Sequence, residues 1–308
     1  MKILRLIPAL ASLCLASAPL QAGNGLELQQ VTDEVYAIVG DLGNRSADNL
    51  GNNATFGFVV TTAGVVLIDS GGTTRGARAI DAIIDTVTDA PVVAVINTGG
   101  QDHRWLGNAY FRNGGARLIA SRAAVDDQRN RLQDQFFMLG NLVGEELVRG
   151  TEAAYADETF DDALDLTIGG TRFEIRYPGP AHTPGDSFVW LPAQQVMFSG
   201  DIVYVERMAS VGAQSSSRGW IEAFDAMAAY RPRYLVPGHG RATTLEHARR
   251  DTRDYLAQLR AAVGEFMDDG GDLSEIGSVD QSAFTYLNNF EMLAGRNAQR
   301  VFEELEWE

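Results

Sequence analysis

The chain of 308 residues has four histidines, and three of them follow runs that read as strand ends. His103 lies in GGQDHRW after PVVAVIN, His182 in GPAHTPGDS, and His239 in VPGHGRA after RYL. Two aspartates close further apolar runs, Asp69 in VLIDSGG and Asp201 in MFSGD. Neutral imidazole and carboxylate are donors that Zn2+, Fe2+ or Mn2+ accepts. Polar groups at the ends of neighbouring strands converge on one rim of a sheet. Singly, each has a plainer role: a loop histidine serves as a hydrogen-bonding group, and Asp beside Gly is turn chemistry. Histidine is not a favoured turn residue, so turn preference does not account for three of four at strand ends. His247 sits in a helical run and reads as a surface residue.

The elements that must position these groups are legible from periodicity. LELQQVTDEVYAIVG alternates around a turn at Thr32 and Asp33, and Gly43 to Asn53 is a polar loop. FGFVVTTAGVVLIDSGG is a hairpin, ARAIDAIIDTV has helical spacing, and PVVAVIN and ARLIAS are short buried strands. WLGNAYFRNG between them reads as a short helix. A long helical run follows from Ser121 to Val148, with Gly140 as its expected break. Hairpins turn at Gly169-Gly170 and at Pro192, and helices are expected over GWIEAFDAMAAY, from Leu245 to Asp269, and from Ala283 to Glu308. Strands and helices alternate, with hairpins in both halves, which argues an α/β sandwich rather than a plain parallel sheet. No linker or short-period repeat divides the chain, so one domain over 23–308 with a helical C-terminal extension is expected.

The first 22 residues have a basic start (Lys2, Arg5), an apolar run broken by Pro8 and a small-residue end at Ala22. That pattern is a secretory signal peptide cleaved near Ala22, giving a periplasmic or secreted protein without a membrane anchor. Cys14 and Lys2, the chain's only cysteine and only lysine, lie in that segment. A mature chain without them has no disulfide, no thiol nucleophile and no Schiff-base lysine. The net charge of −16 becomes about −18 once these two cations leave, which disfavours nucleic acid and anionic membranes as partners and leaves a small-molecule substrate. The oligomeric state is left open.

The segments FGFVVTTAGVVLIDSG, PGPAHTPGDSFVWLP, QVMFSGDIV and YLVPGHG, in that order, resemble the metallo-β-lactamase superfamily from about Leu26 to His239. The resemblance implies a four-layer αββα sandwich with a metal site at one edge of the two sheets. It departs at INTGGQDHRWLGN, where the family's motif reads H-x-H-x-D-H. Without gaps, Gly99 and Gln101 replace its first two histidines, His103 its aspartate and Arg104 its last histidine. A register slid by one residue instead matches Asp102-His103 to the Asp-His pair. In both registers His103 lands near the second metal position.

The resemblance then implies a single altered metal site. Its ligands are His103, Asp201 and His239, with His182 as a fourth ligand or a supporting group and Gln101 as a weak carbonyl donor. Two histidines and a carboxylate with open positions suit one Zn2+ best, with Fe2+ or Mn2+ also accepted. The expected activity is an exported hydrolase that uses activated water on a carbonyl or ester-type substrate such as a lactam, thioester or lactone. Asp102 is a candidate proton acceptor. Arg104 is a candidate substrate-carboxylate clamp, or else a structural ion pair under the site. Asp69 resembles a residue that orients a ligand loop. The alternatives are a non-catalytic binding protein with a degenerate site and an iron oxygenase of the persulfide dioxygenase type. Loop residues Glu206 to Gly219 are expected to flank the pocket. Phe136, Phe137 and Met138 are expected in the core, or else as an apolar pocket wall.

Overall fold

The structure is a computed structural model that describes residues 24–308 and the backbone of residues 20–21. The expected signal segment falls almost entirely outside the described residues. Among those described, no helix is long and apolar enough to cross a membrane.

The first sheet has eight strands in chain order: β1 (Leu20–Gln21), β2 (Glu27–Gln30), β3 (Val35–Val39), β4 (Thr55–Thr61), β5 (Gly64–Ile68), β6 (Val92–Asn97), β7 (Arg117–Ser121) and β8 (Glu158–Phe160). It is antiparallel through β5 and parallel from there. The second sheet runs β9 (Ala163–Ile168), β10 (Thr171–Arg176), β11 (Phe188–Leu191), β12 (Val196–Phe198) and β13 (Tyr234–Val236), with only the last pair parallel. Helices α1 (Thr74–Ile84), α2 (Asp102–Trp105) and α3 (Asn108–Asn113) punctuate the first sheet, and α4 (Arg122–Asn130), α5 (Leu132–Val143) and α6 (Glu145–Val148) join β7 to β8. The second half carries α7 (Ser217–Ala228), α8 (Leu245–Ala248), α9 (Tyr255–Asp268) and α10 (Phe290–Leu305).

Successive residues of a strand face opposite sides, and here both sides are apolar. Val66, Ile68, Ala94 and Ile96 meet Phe173, Ile175, Val189 and Phe198 of the second sheet. Val65, Leu67 and Val95 meet Ile80, Ile83 and Phe111 of α1 and α3. The outside of the second sheet, through Phe188, Met197 and Leu235, is covered by Trp220, Phe224, Leu259, Val301 and Phe302 of α7, α9 and α10. The result is the four-layer αββα sandwich.

Two local expectations change, and one strand, β8, was not expected at all. The run from Ser121 to Val148 breaks at Arg131 and Gly144, and Gly140 lies inside α5. Ser121 starts α4 by accepting from the Ala124 amide, and Gly144 ends α5 at φ 89°, a left-handed value glycine adopts without a Cβ clash. Strand β8 is three residues long, too short to show a period. The C-terminal helix begins at Phe290, after a tight turn at Ser282–Phe284, rather than at Ala283.

Candidate metal centre

The site lies where both sheets end. β6 stops at Asn97, whose side-chain amide donates to the Arg104 carbonyl at 2.7 Å and turns the chain back into α2. His103 is on that helix, His182 is between β10 and β11, Asp201 follows β12, and His239 follows β13. All four are buried. His103, Asp201 and His239 each place a ligand atom within 4.8 Å of the others. His182 lies outside that group and faces the same cleft.

Hydrogen bonds fix what each ring offers. His239 Nδ1 is 2.8 Å from the Asn53 carbonyl, a distance that places its proton there. Its Nε2 is then bare and stands 3.3 Å from Asp201 Oδ1. Two acceptors with no proton between them form an arrangement that a cation relieves. Burial first, then Arg207, keeps His239 neutral well below the usual imidazole pKa. His103 Nε2 is 3.2 Å from Asp201 Oδ2, while its Nδ1 faces Arg45 Nη2 at 3.1 Å and Asp102 Oδ1 at 3.4 Å. Donation from Arg45 to Nδ1 leaves the proton on Nε2, so ligation through Nε2 requires moving it to Nδ1 against Asp102. His182 Nδ1 donates to the Ser210 carbonyl at 3.0 Å, and burial lowers its pKa to about 4, so its Nε2 is also bare. Burial would raise the Asp201 pKa, but Arg104 and then His103 hold it well below the carboxylate range.

Arg104 has no donor left for a substrate. Its Nε and Nη2 grip Asp201 at 3.1 and 2.6 Å, Nη1 reaches Asp69 and the Thr55 carbonyl, and Nη2 also reaches the Gly238 carbonyl. All five N–H groups are used in a fully buried network, which is the structural role rather than the clamp. The oxygens of Asp69 accept from the Thr98 amide and hydroxyl, both at 2.7 Å, at the start of the motif loop. Asp102 does not suit proton acceptance, because Arg45 and His103 lower its pKa against the effect of burial. Gln101 is taken up by Arg131 and Asp102, both at 3.3 Å. His247 pairs with the buried Asp251 at 2.9 Å instead of standing free on the surface.

The cleft above the ligands holds about 420 Å3. The expected flanking loop supplies Arg207, Ser210, Gly212, Ala213 and Gln214. Phe136 packs on a small core cluster, but Phe137 is 69% exposed and Met138 lines the cleft, so the core assignment fails for those two. Sequence reasoning missed Arg45, Asn53 and Tyr204, which lie in irregular segments with no period or motif to mark them, and it placed Arg207 only as part of the flanking loop. Tyr204 stacks on the His239 ring at 4.4 Å. A larger depression of about 560 Å3, beside α1 and α3, contains no histidine.

The two glycines of the motif loop leave no room for side chains. A Cβ on Gly99 would stand 2.5 Å from Asp186 Oδ1, and one on Gly100 would collide with the Asp127 carboxylate. Asp186 is held by the Thr183 amide and hydroxyl at 2.6 and 2.5 Å, and Asp127 by Arg131. Gln128 and Gln135 donate to the Gly99 and Gly100 carbonyls.

Residues 51–239 match the metallo-beta-lactamase superfamily. The chain belongs to that superfamily. Among curated members, it is 20% identical over 243 residues to a linear primary-alkylsulfatase from Pseudomonas sp. (strain ATCC 19151), covering 67% of this chain and 46% of that one. It is 23% identical over 212 residues to a type 2 metallo-beta-lactamase from Elizabethkingia meningoseptica, covering 67% and 77%. The chain therefore spans less than half of the alkylsulfatase. Among solved structures, a stereoselective inverting sec-alkylsulfatase from Pseudomonas sp. superposes with a TM-score of 0.68 at 18% identity, over 90% of this chain and 50% of that one. For this metallo-beta-lactamase superfamily member, the His103, Asp201 and His239 cluster is the candidate divalent-metal site.

Proposed function

We propose that the chain is an exported, metal-dependent hydrolase of a small carbonyl or ester-type substrate, with one divalent ion, Zn2+ first, held by His103, Asp201 and His239. The observation that carries this reading is the convergence of His103 Nε2 and His239 Nε2 on the two oxygens of Asp201, at 3.2 and 3.3 Å, with all three ligand atoms within 4.8 Å of one another. A divalent ion held there supplies Lewis acidity and lowers the pKa of a coordinated water from about 16 toward 7. Arg104 holds the Asp201 carboxylate rigid. Asn53 fixes the His239 tautomer, as a carbonyl behind a ligating imidazole does. Neutral His182 offers Nε2 as a fourth ligand or as an acceptor for water. Ionised Asp102 anchors Arg45 and would accept a hydrogen bond from His103 Nδ1 with that ring ligating through Nε2.

Metal content measured on protein purified without chelator tests the site. One equivalent of zinc supports the hydrolase, iron would point to an oxygenase, and none to a binding protein. The His239→Ala and His103→Ala variants are expected to lose most of the metal; unchanged content in both would sink the assignment. Chelator-sensitive turnover is sought over lactams, thioesters, lactones and sulfate esters, since a lactamase and an alkylsulfatase are among the relatives. Export is tested by intact mass and cell fractionation. A periplasmic chain beginning at Gly23 is expected, and a cytoplasmic chain keeping Met1 overturns it.

A further inference from the structure

Three imidazoles face the cleft, and their Nδ1 atoms do not meet the same kind of partner. His239 Nδ1 is 2.8 Å from the Asn53 carbonyl, nearer than Arg207 Nη1 at 3.2 Å, and His182 Nδ1 is 3.0 Å from the Ser210 carbonyl. A carbonyl only accepts, so each of these rings carries its proton on Nδ1 and offers a bare Nε2. That is the form in which an imidazole ligates through Nε2. His103 differs. Its Nδ1 lies 3.1 Å from Arg45 Nη2, while Asp102 Oδ1 is farther away at 3.4 Å. A guanidinium only donates, so Nδ1 supplies a lone pair and the proton stays on Nε2. From there it reaches Asp201 Oδ2 at 3.2 Å and closes the ligand position.

The difference is built into one loop. Arg45 and Asn53 both belong to the polar segment between β3 and β4, and the Asn53 side-chain amide ties that segment together by donating to the Gly43 carbonyl at 3.0 Å. The loop thus gives one histidine an acceptor and the other a donor. Arg45 is half-buried, and its Nη2 also holds Asp102 Oδ1 at 2.5 Å. The same oxygen accepts from the His103 amide at 2.8 Å, so carboxylate, guanidinium and ring form one unit. Ligation through His103 Nε2 needs the proton on Nδ1. The ring stays neutral: Nε2 gives up a proton, Nδ1 gains one and donates it to Asp102. Arg45 Nη2 must then withdraw, because two donors cannot face each other.

Resting on the metal site proposed above, we infer that Arg45 is a positioning residue that holds His103 in its non-ligating form, so that an ion is taken up only as Arg45 leaves Nδ1. Nitrogen-15 NMR of the histidines in the chelator-treated full chain reads the form of each ring, and competition with a chromophoric chelator reads zinc affinity. In the parent chain, His103 is expected with its proton on Nε2, and His182 and His239 with theirs on Nδ1. Arg45→Met removes the charge and the donors at similar length. In it His103 alone is expected to change form, since Asp102 keeps its oxygen and loses the competing cation. Zinc is expected to bind this variant about tenfold tighter, because a charged hydrogen bond that ligation must break is gone. Arg45→Lys keeps a cationic donor and is expected to stay closest to the parent. An arginine that merely braces Asp102 predicts the opposite: weaker zinc binding in Arg45→Met and an unchanged His103. His103 with its proton on Nδ1 in the parent, or zinc bound no tighter by folded Arg45→Met, overturns the inference. The first of these readings needs no variant, so it decides the matter if Arg45→Met does not fold. Equal zinc affinity in both chains sinks the role of Arg45 alone. Zinc bound by neither chain sinks the hydrolase reading, and the ring forms still test the hold of Arg45 on His103.

Discussion

Gly99 and Gly100 take the places where side chains would meet the carboxylates of Asp186 and Asp127. Restoring the familiar ligands by Gly99→His with Gln101→His is therefore expected to destabilise the fold without adding a second equivalent of metal. Elemental analysis beside a melting curve checks this; two equivalents in a folded variant would refute it. Arg104→Ala leaves Asp69 and Asp201 as buried charges without their partner, a loss of about 3–5 kcal/mol in denaturant unfolding. Arg104→Lys is expected to recover little, because an ammonium cannot make the two-pronged contact. His182 supplies a pH dependence. Its pKa is about 4 in the fold against about 6.5 when unfolded, so the unfolded chain binds the proton first. Its contribution is complete above about pH 6.5 and lost as pH falls toward 4. Unfolding midpoints of chelator-treated protein should drop over that window, with a shallower slope in His182→Gln. The residues with metal-ligand chemistry were legible because His and Asp are distinctive after an apolar run. The use of Arg104 was not, since one residue type serves both as clamp and as ion pair and only burial separates them.

Among the elements, the hairpins and the parallel strands β6 and β7 were legible from their apolar runs and turn residues, whereas the parallel strand β8 was not. The breaks in the run from Ser121 to Val148 were not, because Gly140 and Gly144 look alike until one adopts a positive φ. α5 is tied to the motif loop by Gln135, whose amide donates to the Gly100 carbonyl at 2.8 Å and accepts from Trp105 Nε1 at 3.0 Å. Gln135→Ala strands both buried groups and is expected to cost about 1–3 kcal/mol in denaturant unfolding. α10 plays the matching part on the other side. Asn297 donates to the Ala209 carbonyl at 2.7 Å and accepts from the Val211 amide at 2.9 Å, holding the segment that carries Arg207. Asn297→Ala is expected to weaken substrate binding while metal content stays the same; a parallel loss of metal would count against a role confined to that segment. The sequence marked α10 only as a helical tail, since its reach to the cleft through Met292 and Arg296 is a matter of packing.

Over the whole molecule, the chain is strongly acidic, with a net charge of −16, while four arginines and two aspartates line the cleft. The fold was the most legible level, because many short patterns in a fixed order agree on one architecture. The charge pattern of the cleft was the least, because it joins residues as distant in the chain as Arg45 and Arg296. Arg104 touches the start of β4 at Thr55, the end of β5 at Asp69, and the loops after β12 and β13 at Asp201 and Gly238. One protein-borne cation thus sits at the seam between the sheets. The joint between the two sheets is therefore made by protein atoms, in the same place where the candidate metal ligands gather.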